Sequence, residues 1–165
     1  MILATMLAGY ANAQNVNSKS FVNLNEQGVI LDGYDAVTYF TDYKAIKGDE
    51  IFSVRYNGAT YWFYSEEHVS IINDNPGKFA PQYGSFCGYE MSLNKLRPVD
   101  PNIWQIVDGR LILQHTQDAY ELFNKDAKGN TAKADGYWPE QVKKHAGKKV
   151  KFDAPAKPAT DNQSK

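Results

Sequence analysis

Residues 51–64, IFSVRYNGATYWFY, decide the fold. Two runs of aromatic and β-branched residues flank Asn57-Gly58. A two-residue type I′ turn needs positive φ at both central positions, and Asn-Gly supplies them at the least steric cost. The stretch is therefore predicted to be a β-hairpin. The second run passes directly into SEEHVSIINDNPGKF, residues 65–79. Ser65 can accept from the unpaired amides of a first helical turn, and Glu66 and Glu67 sit where the helix dipole favours negative charge. Val69, Ile71 and Ile72 are predicted to face the core, and Asn75-Pro76-Gly77 to end the helix.

The same logic recurs downstream. IWQIVDGRLILQ, residues 103–114, reads as a second hairpin turning at Asp108-Gly109. Thr116 is placed to cap a helix over residues 117–126, with Ala119, Leu122 and Phe123 as its apolar stripe. Residues 127–150 are predicted to break at Gly136 and Pro139 and to resume as a short basic amphipathic helix, whose VKKHAGKKVK run is a solvated face. Upstream, GVILDGYDAVTYFTDYKAIKGDE (28–50) suggests a short turn or helix carrying Asp35, Val37, Tyr39 and Phe40, opened by Asp32 as N-cap and closed by Gly48. The expected class is α+β, small antiparallel hairpins interleaved with short helices.

The ends of the chain read differently. Residues 1–13 contain the apolar run Ile2–Ala8 and a small-residue Ala-Asn-Ala before Gln14, the pattern of a signal peptide cleaved near Ala13, although no Lys or Arg precedes the run. The run is too short to span a bilayer, which takes about 20 apolar residues. Export to the periplasm or the exterior is expected, without stable membrane insertion. Residues 14–27 form a polar N-terminal arm, residues 28–152 the domain, and residues 153–165 a tail expected to be disordered. At 165 residues the chain suits one domain, and a net charge of −1 gives no footprint for nucleic acid.

Candidate chemistry centres on APQYGSFCGYEMS (80–92), which holds the single cysteine, Cys87. A lone cysteine in an exported chain cannot close an internal disulfide. It can be a buried inert thiol, a metal ligand or an exchange thiol. Met91 lies four residues on, one helical turn away, and thiolate and thioether are soft donors that suit Cu(I), with other transition metals also open. His68, near the start of the helix after the first hairpin, can add an imidazole. The opposing reading is packing alone, since free cysteine is among the most buried residue types and methionine fills gaps. Exchange chemistry needs an electropositive setting, whereas the nearest charge in sequence is Glu90. His115 and His145 read as surface or capping residues. Asp32 and Asp35 read as turn and cap residues rather than an acid pair. No nucleophile elbow, Walker loop, HExxH or dinucleotide fingerprint is present, so no enzymatic activity is indicated.

Four collinear segments, LDGYDAVTYF, YNGATYWFYSEEH, NPGKFAPQYGSFCGYEMS and DPNIWQIVDGRLIL, together resemble the exported YHS-domain proteins of bacteria, from about Gly28 to Trp138. The resemblance implies a small aromatic-rich hairpin-plus-helix unit, related to the cysteine-based metal module called the TRASH domain. It further implies metal trafficking or sensing, with a metal ion as ligand and a partner protein in metal handling. The family hairpin commonly ends in YFCS-x-x-C. Here the matching residues are WFYSEEH, so Tyr64 and His68 stand where the cysteines would be. A closed four-coordinate zinc site is not expected after that loss. What the resemblance leaves is a site of lower coordination, His68 with Cys87 and Met91, for a soft metal such as copper. The alternative is a YHS-type binding or interaction module that has lost its metal.

Overall fold

The computed structural model describes residues 21–148. The predicted signal peptide and the whole of the predicted tail lie outside that range, as does the first part of the N-terminal arm. The two hairpins form as predicted. β1 (Asp49–Tyr56) pairs antiparallel with β2 (Ala59–Phe63), and β3 (Asp100–Val107) with β4 (Arg110–Gln114). Both turns use left-handed backbone, with φ of 48° and 83° at Asn57-Gly58 and 49° and 75° at Asp108-Gly109. Each hairpin is its own two-stranded sheet, and each ladder carries a register shift near its open end.

Six helices surround the hairpins among the described residues: α1 (Thr38–Thr41), α2 (Glu66–Asp74), α3 (Pro76–Phe79), α4 (Gly88–Ser92), α5 (Gln117–Asn124) and α6 (Ala127–His145). The architecture is α+β. None of these helices is long and apolar enough to cross a membrane. Ser65 Oγ accepts from the His68 amide and Thr116 Oγ1 from the Ala119 amide, so α2 and α5 begin where the capping signals place them. Asp126, which the sequence reading passed over, caps α6 by accepting from the Gly129 amide.

Three expectations need correcting. Asp32 caps nothing: its φ is +49° inside a tight turn, and the side chain that serves the α1 region is Asp35, whose Oδ1 accepts from the Val37 amide. Gly136 and Pro139 do not break the chain, and α6 runs through both for 19 residues. Its contacts explain this. Ala134 is fully buried and Trp138 stacks on Phe21 at 5.9 Å and packs edge-on to Tyr83, so tertiary packing overrides the local cost of a glycine and a proline. Leu122, expected in the stripe of α5, is exposed, while Ala119 and Phe123 are buried. The described end of the arm docks on the domain: Phe21 is buried and stacks on Phe86 with ring centroids 4.8 Å apart.

Two apolar clusters make the core. The first gathers Tyr39, Tyr61, Phe63, Ile72 and Phe79 from the N-terminal half with Leu111 and Leu113 of β4. The second gathers Phe21, Tyr83, Phe86, Met91, Phe123 and Ala134 with Ile112. Successive residues of a strand point to opposite faces, so β4 serves both clusters at once. All five of its residues except Arg110 are buried. At roughly 1.5–3 kcal/mol for each fully buried large apolar side chain, β4 alone ties a substantial share of the hydrophobic stabilisation together.

Candidate functional site

His68 and Cys87 belong to different surroundings. His68 is the third residue of α2, held there because Ser65 fixes the first turn. Its Nδ1 lies 2.6 Å from Asp35 Oδ2. The Asp35 side chain has no solvent exposure, whereas that of His68 keeps 13%. The same Oδ2 accepts from the Tyr64 amide at 2.7 Å, and Oδ1 accepts from the Val37 amide at 2.7 Å. Asp35 thus joins three segments: the loop before α1, the end of β2 and the first turn of α2. Nδ1 faces the carboxyl group, so Nε2 is the ring nitrogen left for other partners. The ring of Tyr64, an exposed residue, tilts toward the imidazole with centroids 6.3 Å apart.

Cys87 precedes α4 and is fully buried. Its Sγ donates to Gln114 Oε1 at 3.2 Å, and that same oxygen accepts from the Tyr89 amide at 2.9 Å. The Gln114 side chain, at the end of β4, is itself fully buried, and its Nε2 has no hydrogen-bond partner. Burial pushes the Cys87 thiol above its ordinary pKa. The Glu90 charge pushes the same way, while backbone hydrogen bonds from Glu90, His115 and Tyr89 act against it. A neutral thiol is thereby favoured, which disfavours both nucleophilic attack and metal ligation.

Met91 stands one turn from Cys87, as the spacing predicts, and its amide donates to the Cys87 carbonyl. It is fully buried and packs into the second apolar cluster. The structure therefore brings Cys87 and Met91 onto one turn, ties Cys87 to Gln114, and ties His68 to Asp35. Among the described residues no group of three or more His, Cys, Asp and Glu side chains is placed to hold a metal ion. His115 faces the Pro98 carbonyl through Nδ1, and His145 stacks on Phe21 at 5.2 Å. Burial and the charges of Lys144 and Lys148 lower the pKa of His145.

Sequence reasoning assigns Asp35 a turn and cap role, which the Val37 contact bears out, but not its contact with His68, and it does not single out Gln114. Asp35 had a signal: one acidic residue inside the apolar run Tyr34–Phe40 is a group that must find partners once buried. Gln114 had a weaker one, a polar residue ending the strand RLILQ on the same face as Ile112.

No family model matches the chain, and neither does any curated protein or solved structure.

Proposed function

We propose that this chain is a non-catalytic binding module, of the kind the YHS resemblance suggests for a member without its metal, and that Cys87 is a packing residue in it. The observation that carries this reading is the Cys87 thiol itself, fully buried and donating to the Gln114 amide oxygen. Such a thiol has its hydrogen-bonding need met inside the core, so nothing draws it toward an ion or an electrophile. The test is alkylation of the native protein with iodoacetamide, followed by the same reaction in denaturant. Labelling is expected only after unfolding. Rapid labelling of the folded protein sinks this assignment.

A second reading keeps the metal, as a soft-metal handling role for copper in an exported protein. It is favoured by the Asp35–His68 contact, because a ligating imidazole commonly offers its other nitrogen to a carboxylate. On that reading His68 Nε2 is the primary ligand. The sulfurs of Cys87 and Met91 join it only if α4 rearranges, since both are fully buried. An anaerobic Cu(I) competition titration of the mature protein beside His68→Ala and Cys87→Ser separates the two readings. No binding in the wild type favours the module. Binding lost in both variants restores the metal site and removes the packing role of Cys87.

A further inference from the structure

A cleft of about 200 Å³ opens between the docked arm, the turn at Leu31–Gly33 and the segment leading into β3. It contains neither His68 nor Cys87. Its lining is mainly polar, with Asn23, Asn25, Asp32 and Ser85 beside the buried Val29 and Leu31. Ser85 is 1% exposed, and its hydroxyl has no hydrogen-bond partner. A buried hydroxyl without a partner is unusual in a folded protein and is relieved when a ligand atom supplies one.

The backbone of both walls is held in an uncommon conformation. Leu31 and Asp32 have φ of 55° and 49°, and Ser85 has φ of 65°. Only glycine enters this region freely, so the surrounding contacts must hold these residues in place. On one side Asn23 does so, its Nδ2 donating to the Ser85 carbonyl and its amide to the Gly84 carbonyl. On the other, Lys47 Nζ donates to the Asp32 carbonyl. The Asn25 side-chain oxygen accepts from the Gln27 and Val29 amides, which leaves its NH₂ as the free end.

We propose that this cleft binds a small neutral polyhydroxylated ligand, a vicinal diol of polyol or monosaccharide size, with Asp32 and Ser85 as the discriminating contacts. The proposal rests on the binding-module reading and gives it a ligand class. Size is the first constraint, because drug-sized pockets start at roughly 300 Å³. Charge is the second. The walls offer one carboxylate and no cationic side chain, so an anion finds no opposite charge, and the Lys47 ammonium held on the Asp32 carbonyl opposes the entry of a second cation. The third is hydrogen-bond type. The walls mix acceptors (Asp32, the Asn23 oxygen) with donors (the Asn25 amide), and the Ser85 hydroxyl can act as either, as a diol also can.

The test is an amide-resolved NMR titration of the isotope-labelled protein with glycerol, a monosaccharide, ethylammonium and acetate as separate probes. Shifts confined to residues 23–25, 31–32, 85 and 99–100, saturating on the order of millimolar ligand, are expected for one or both hydroxylated probes. Comparing glycerol with the monosaccharide tells which size fits. Asp32→Asn keeps a residue type tolerant of positive φ, and Ser85→Gly suits the backbone while deleting the hydroxyl, so both variants should stay folded. Each is expected to weaken binding by about tenfold. The absence of shifts with both hydroxylated probes, binding of a charged probe in their place, or full affinity in both variants overturns the proposal. The alkylation result for Cys87 is read independently of these outcomes, so failure of the cleft alone and failure of the module reading beneath it are told apart.

Discussion

Asp35 Oδ2 lies 2.6 Å from His68 Nδ1 across 33 residues of sequence, and the carboxyl group that makes this contact is entirely shielded from water. The His68 imidazole and two backbone amides, those of Val37 and Tyr64, converge on Asp35. Asp35→Ala is therefore expected to cost about 3 kcal/mol or more, because it strands buried donors as well as losing the contacts. His68→Ala leaves both amides satisfied and is expected to cost about 1–2 kcal/mol. Urea denaturation of the two variants checks the order, and equal losses would mean that the imidazole, not the amides, is the essential partner.

Alkaline pH should destabilise the fold in two stages. Burial raises the pKa of Cys87, and it raises those of Tyr39, Tyr61 and Tyr83 as well. For each group the native state holds its proton after the unfolded chain has released it, so stability is fully present below the unfolded pKa and falls as pH rises toward the folded one. The loss should begin near the unfolded thiol value of about 8.5 and steepen above the phenol value of about 10. Thermal melts across that range, with tyrosinate absorbance as a second readout, are the measurement. Cys87→Ala should remove the first stage and leave the second.

Two glycines should respond in opposite directions. At Gly136 a Cβ would meet nothing within 4 Å, and the residue lies on the exposed side of α6. Gly136→Ala is expected to stabilise by about 0.5–1 kcal/mol. At Gly84 φ is +58°, and a Cβ would sit 2.4 Å from the Phe21 carbonyl oxygen. Gly84→Ala should destabilise strongly and release the arm, readable as new proteolytic cleavage near Phe21.

Asp135 ties α6 to β4 by taking Arg110 in a bidentate pair, and it also accepts from the Tyr83 hydroxyl at 2.9 Å. The ion pair is substantially exposed, so Arg110→Ala should cost no more than about 1 kcal/mol and less in high salt. Asp135→Ala should cost more, because Tyr83 is buried and loses the stronger of its two partners. If the two variants prove equal, the Tyr83 contact carries no weight.

What was legible in the sequence was local. Asn57-Gly58, Asp108-Gly109, Ser65 and Thr116 act through neighbours within a few residues, and the structure has each of them in the expected role. What was not legible depends on distant partners. The path of α6 through Gly136 and Pro139 depends on Trp138 meeting Phe21 more than a hundred residues away. At the candidate site, the Cys87–Met91 turn followed from spacing, but that Cys87 would meet Gln114 and His68 would meet Asp35 did not. No local period encodes which side chain lies across a core. Asp32 and Asp35 show the same limit at short range: both suit turns, and only burial tells which one must find partners.

β4 has one further consequence. Leu111 and Leu113 belong to one apolar cluster and Ile112 to the other, so a slip of a single residue in the β3–β4 pairing would exchange the contents of the two halves. Neither half can melt without exposing one face of that strand, and the strand cannot leave without opening both. The halves accordingly lack independent stability, and heat should take this protein apart in one calorimetric transition, with the strand between its two cores as the unit of cooperativity.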